Sequence, residues 1–147
     1  MDIKELADRV LLKDLVDKVS ILADKKDIHA MAQLFSENTW SETFAGGVSI
    51  LQLNGRKEME EKLEGFLKNF ETAYHLNGQQ QVTINGDMAT GKVYCLVVLV
   101  STENGKKIQT TIGATYQDEY VREHNRWLIA KRIGNFEWQE KRECPAP

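Results

Sequence analysis

The second half of this chain is punctuated so regularly that it leaves little choice of fold. Everything after Tyr74 reads as strand and turn. Three short stretches, "NGD" at 85–87, "ENGKK" at 103–107 and "EHNR" at 123–126, cut it into four long segments. Each stretch carries residues that tolerate the positive φ of a tight hairpin. Long segments joined by such short turns pair as antiparallel neighbours, so this half commits the chain to a sheet.

The first half predicts helices. From Ile3 to Ala23, apolar residues such as Leu6, Val10, Leu15, Val16, Val19 and Leu22 recur at steps of three and four, with Lys4, Asp8, Lys13 and Asp17 between them. Asp24 ends this long amphipathic helix. Asp27 is placed to cap a second, short helix whose stripe is Ile28, Met31, Ala32, Leu34 and Phe35. "TWSETF" and "VSILQL" read as two strands joined through Ala45, Gly46 and Gly47. A third helix follows "NGRKE", with Met59, Leu63, Phe66, Leu67 and Phe70 on one face and Glu60, Glu61, Lys62 and Glu64 on the other. The order α-α-β-β-α-β-β-β-β describes an α+β domain, a curved and mostly antiparallel sheet with three helices packed on its concave face. With 147 residues, 41% of them hydrophobic, the chain has the length of one domain with one core, taken as 1–143, and "CPAP" at 144–147 is a tail expected to be disordered.

Charge and motif content narrow the function classes. The net charge of −3 is mixed in sign along the chain, with no basic stripe for nucleic acid or an anionic membrane. "MDIKELADRV" lacks the basic-then-apolar run of a secretory signal, and "CLVVLV" at 95–100 is too short to span a bilayer, so a cytoplasmic protein is expected. Cys95 and Cys144 have neither disulfide nor zinc spacing and are expected to be free thiols. No cluster of His, Cys or carboxylates gives His75 further metal ligands, and no Gly-rich phosphate loop is present, so neither a metal nor a nucleotide cofactor is expected.

A curved sheet closed on one side by helices makes a cone with a mouth. Along the strand near 91–99, Gly91, Val93, Cys95, Val97 and Leu99 share the face that lines the interior. The opposite face carries Lys92 and Thr90 but also Tyr94, Leu96, Val98 and Val100, apolar enough to need a cover. The economical cover is a second copy of the chain, hence a homodimer through the convex face of the sheet. Trp40 and Phe44 line the pocket mouth or belong to the core. Trp127 is core, Trp138 is placed to close the cone, and His29 and His124 are surface groups.

His75, just before what reads as an Asn77-Gly78 turn, shares a face with Asn77. It is either a core or edge histidine bonded to a carbonyl, or a catalytic imidazole, and the second reading needs a carboxylate on its far nitrogen. Asp24, in the apolar setting "SILAD", is the candidate; its alternative is a solvated helix terminus.

"LADKKDIHAMAQLFSENTW", with Asp24, Asp27 and Phe35, resembles the first motif of the SnoaL-like group of the NTF2-like superfamily. The likeness continues through "NGRKEMEEKLEGFL", the His75-Leu76-Asn77 triplet, "VTINGDMATGKVY" and "YVREHNRWLIAKRIGNFEW". That group includes scytalone dehydratase and bile-acid dehydratase and, more distantly, ketosteroid isomerase. The resemblance implies an NTF2-like conical barrel, often dimeric. It also implies a catalytic pair in which Asp24 orients His75 to remove a proton α to a carbonyl. This chain departs from scytalone dehydratase in carrying Ala23 where a tyrosine precedes the aspartate. Val97 to Val100 supply no second histidine or acid, which leaves Tyr116 to polarise a carbonyl.

Three functions stay open on these grounds. One is a cofactor-independent lyase or isomerase acting on a hydrophobic, polyketide-like or steroid-like carbonyl compound. Another is a non-catalytic binder of a small hydrophobic molecule in the same cone, with Trp40, Phe44, Asn77, Val93, Cys95, Val97, Tyr116 and Trp138 as its contacts. The third is an association module that works through the apolar sheet face.

Overall fold

The computed structural model describes residues 1–144. Helix α1 spans Ile3–Asp24 and starts where the Asp2 carboxylate accepts the Glu5 N–H at 2.8 Å. It buries Leu12, Leu15, Val16, Val19 and Ala23, and the chain leaves it through Lys26 at φ +60°. Asp27 caps α2, Ile28–Ala32, by accepting the Ala30 N–H. The expected stripe through Leu34 and Phe35 is cut short. A five-residue helix has little stability of its own, and Phe35 instead opens strand β1, Phe35–Ala45, opposite Ile129.

The remaining elements are β2 Val48–Asn54, α3 Arg56–Leu67, β3 Thr72–Asn85, β4 Met88–Glu103, β5 Lys106–Glu123 and β6 Arg126–Glu143. The hairpin turns fall where the sequence puts them, with positive φ at Gly86, at Asn104 and Gly105, and at His124 and Asn125. The strands form one six-stranded sheet in the order β2-β1-β6-β5-β4-β3, left unclosed at β2 and β3. Only β1 and β6 run parallel; the other neighbours are antiparallel. Register slips at Thr43/Phe44, Asn77/Gln80, Gly113/Ala114 and Glu119/Tyr120 bend the strands. Cys144 donates its N–H to the Lys107 carbonyl, so the tail begins tied to β5; residues 145–147 lie outside the described residues. No described helix is long and apolar enough to cross a membrane.

One of those slips corrects the sequence reading and explains how α1 is held. Asn77-Gly78 is not a turn but part of a β-bulge, since Asn77 pairs with Cys95 and Gln80 with Val93. The extra residue lets His75, Asn77, Gln80 and Val82 all face α1. A ladder of side-chain bonds results. Arg9 donates to the Val82 carbonyl at 3.1 Å, Gln80 to the Leu12 carbonyl at 3.2 Å and Asn77 to the Val16 carbonyl at 3.0 Å. The last rung is His75 with Asp24, so the ladder sets the height of α1 on the sheet and thereby the meeting of those two residues.

The N-terminal half of α1 is fixed by a second tie. Asp8, 4% exposed, accepts two bonds from Arg122, at 2.6 and 3.1 Å, and one from the Trp127 indole at 3.2 Å. The Arg122 hydrogen bonds hold the Asp8 carboxyl below the usual carboxylate range, with burial opposing and the Trp127 bond assisting. A depressed carboxylate stabilises the fold above its unfolded pKa of about 4, and that contribution is lost as pH falls through the lower folded value. Asp8→Asn is therefore expected to lower stability in urea at pH 7 and to differ little from the parent near pH 2. An equal difference at both pH values would rule this out.

Candidate active site

His75 projects from β3 toward the end of α1. Its Nδ1 lies 2.6 Å from Asp24 Oδ1, and its backbone N–H donates to Asp24 Oδ2 at 3.0 Å. One residue thus occupies both oxygens of the carboxylate. An ionised carboxylate is an acceptor only, so Nδ1 carries the proton in the neutral ring and Nε2 keeps its lone pair. Nε2 has no hydrogen-bond partner among the described residues.

The ring forms part of the wall of a cavity of about 150 Å³ between the helices and the sheet. Helix α1 contributes Val19, Ser20 and Ala23, and α3 covers it with Met59, Leu63, Phe66 and Leu67. From the sheet come Ser41, Thr43, His75, Tyr116 and Arg132. The Ser20 hydroxyl donates to Asn77 Oδ1 at 3.2 Å, so its oxygen is left with acceptor capacity only.

Arg132 is the polar group that sequence reasoning missed. Its Nε and Nη2 donate to Asp118 Oδ1 and Oδ2 at 2.8 and 2.9 Å, and the Tyr120 hydroxyl donates to the same Oδ2 at 2.8 Å. Burial works against the charge on Arg132, but the negative Asp118 and its hydrogen bonds outweigh it, so the group stays ionised. Nη1 is the guanidinium nitrogen with no hydrogen bond to a described residue. The guanidinium carbon lies 4.2 Å from the centroid of the Tyr116 ring. Gly134 leaves room for this stack, since a Cβ there would press on the ring at 3.2 Å. Burial raises the Tyr116 hydroxyl well above its ordinary value, so it remains a donor. It meets the Cys95 thiol, which burial pushes up to about 11 and keeps neutral.

The structure brings together His75, Asp24 and Tyr116 from the expected site and separates the rest. Ser41 and Thr43 point into the cavity, so alternation turns Trp40 and Phe44 away from it. Val93, Cys95 and Val97 are buried on the inner face as core. Asn77 is a strut: besides the Val16 carbonyl it reaches Asp17 at 3.0 Å. Trp138 does not close the cone. It lies on the convex face, 52% exposed, flat against Gly113, where a Cβ would fall 2.1 Å from the indole nitrogen. With Leu76, Tyr94 and Leu96 it borders a second, shallower hollow of about 560 Å³, larger than the cavity but on the opposite side of the sheet from the His75 ring. His29, expected at the surface, is exposed and bonds Glu60 at 2.7 Å.

A curved α+β sheet with a small cavity against its helices is an NTF2-like fold. The chain belongs to the SnoaL-like domain family, which matches residues 4–133. It is similar to an uncharacterised protein of Mycobacterium tuberculosis, 24% identical over 135 residues that cover 90% of this chain and 88% of the relative. Among solved structures, a candidate scytalone dehydratase from Novosphingobium aromaticivorans superposes with a TM-score of 0.81 at 17% identity, covering 97% of this chain and 92% of that one. A hexachlorocyclohexane dehydrochlorinase, LinA type 2, gives a TM-score of 0.80 at 19% identity, covering 100% and 95%. At these identities the likeness is one of fold.

Proposed function

We propose that the protein is a cofactor-independent lyase or isomerase acting on a hydrophobic carbonyl compound. The observation that carries this reading is that His75, its imidazole held by a carboxylate, lines the same cavity as Arg132. His75 Nε2 takes a proton from the carbon α to the carbonyl, and Asp24 stabilises the imidazolium that forms. Charge moves onto the carbonyl oxygen, which accepts a hydrogen bond from Arg132 Nη1. In a lyase the electron pair then expels a β-leaving group, which takes a proton from the imidazolium. In an isomerase the same proton returns to the γ carbon of a β,γ-unsaturated ketone. Apolar side chains such as Val19, Met59 and Leu63 lower the local dielectric and strengthen each of these bonds. The dehydratase and dehydrochlorinase named among the structural neighbours fit proton abstraction followed by loss of a leaving group.

The first step is testable without the natural substrate. Cyclic ketones are expected to exchange their α-protons in D₂O when the protein is present, followed by proton NMR. His75→Ala should slow that exchange by about 10²- to 10⁴-fold, the usual share of a general base, with ketone affinity little changed. Binding with no exchange in the parent protein would favour the non-catalytic reading.

For the convex face we propose a second copy of the chain as the cover, because Tyr74, Leu76, Tyr94, Leu96 and Trp138 all lie exposed there. Sedimentation is expected to give a dimer, and Trp138→Glu a monomer. A monomeric parent at high concentration would end this proposal.

A further inference from the structure

We infer that the ligand of the His75 cavity is a neutral compound built on a single ring, with one acceptor oxygen for Arg132. The inference rests on the proposed function for which atoms react, but its size and charge limits come from the walls alone. An apolar cavity of about 150 Å³ accommodates benzene. The cavity here is about the same size, 150 Å³, which suits one six-membered ring beside His75 and would leave most of a steroid nucleus outside it. Its boundaries are firm on the sheet side, where Tyr116 is wedged between Arg132 and Gly134. On the helix side, Met59, Leu63, Phe66 and Leu67 of α3 close it. Of the two substrate shapes open from the sequence, these walls favour the smaller, polyketide-like one over the steroid-like one.

Charge narrows the ligand further. The cation on the wall is already matched, because Asp118 takes both Nε and Nη2 of Arg132 and is itself wholly buried. Asp24 adds a second negative charge beside His75, and with a neutral imidazole the four groups sum to about −1 by formal charge. A carboxylate entering this cavity would lose its water without gaining an unmatched cation, a costly exchange. A ketone oxygen needs only the donor that Arg132 has left, at Nη1. On the other wall Ser20 Oγ and His75 Nε2 offer acceptors and no donor, which suits a C–H or O–H of the ligand.

The test is a binding series read by NMR on the whole protein, with the His75 ring and the Trp138 indole as reporters of the two hollows. The ligands are acetylcyclohexane, its isosteric anion cyclohexanecarboxylate, the fused-ring ketone 2-decalone and the steroid androstenedione. Acetylcyclohexane is expected to move the His75 signals, and cyclohexanecarboxylate to bind at least about tenfold more weakly, a gap of about 1.4 kcal/mol. Androstenedione should leave His75 unmoved, whatever it does at Trp138. Leu63→Ala, which shortens the α3 wall, should strengthen 2-decalone relative to acetylcyclohexane. The inference is overturned if the carboxylate binds as well as the ketone, if the steroid reaches His75, or if none of the ligands moves it. Because no turnover is read, binding of acetylcyclohexane without α-proton exchange would sink the enzyme reading and leave the ligand class standing. Exchange of steroid protons at His75 would do the reverse.

Discussion

Asp118→Ala is expected to destabilise the protein by about 3–5 kcal/mol, the cost of breaking a buried ion pair by removing one partner. Asp118 is 0% exposed at its side chain and Arg132 only 11%, so the stranded guanidinium has little access to water. The Tyr120 hydroxyl loses its acceptor in the same step, keeping only a long contact of 3.5 Å from Gln80. By contrast, Asp8→Ala leaves Arg122 bonded to Asp87 and to the Gly86 carbonyl, and its cost should be smaller. Urea unfolding of both variants measures the difference. The double change Asp118→Leu with Arg132→Met keeps the volume and removes both charges, and should recover most of the lost stability. It should nonetheless abolish ketone exchange, since the donor at the cavity wall is gone. If Asp118→Ala costs less than about 1 kcal/mol, in the range of an exposed pair, Arg132 is not held as described and its place in the mechanism falls with it.

Asp24→Asn is expected to lower α-proton exchange about as much as loss of the base itself, about 10²- to 10⁴-fold, with a stability loss near 1 kcal/mol. Both Asp24 oxygens receive donors from His75, one from the ring and one from the backbone. Asparagine offers one acceptor and one donor group. The backbone N–H keeps the carbonyl oxygen, and the amide NH₂ then faces Nδ1. The ring can accept that bond only by moving its proton to Nε2, where the lone pair is needed. Nitrogen-15 shifts of the His75 ring report the tautomer without any assay. A variant that retains the Nδ1–H form, or one that exchanges ketone protons at the parent rate, would count against the role given to Asp24.

The distribution of what could be read follows from the range of each interaction. The helices and hairpins were legible because their signals lie within a few residues, as with the Asp2 and Asp27 caps and the positive φ at Gly86 and Asn125. That His75 and Tyr74 take opposite faces follows from alternation, and the structure turns His75 inward. The rule broke down at Asn77-Gly78, where a bulge mimics a turn in the sequence; along β1 it held, but Ser41 and Thr43 line the cavity and the larger Trp40 and Phe44 do not. Arg132 was hidden because "LIAKRIGNFEW" presents two adjacent basic residues, and nothing local says which one faces inward. Only the pairing of Arg132 opposite Asp118 across β5 and β6 answers that.

By itself the sequence determined the order of elements, the position of the hairpins and the two faces of β4, and it offered His75 and Asp24 as a candidate pair. Periodicity, capping and turn chemistry act over one or two turns of chain, and the family resemblance supplied the rest. Tertiary structure alone decided how large the cavity is, that Arg132 joins Tyr116 in its wall, and that Asn77 and Trp138 stay out of it. Those outcomes depend on bulges that shift whole strands by one residue, and on buried charges that are tolerable only where a partner distant in sequence meets them.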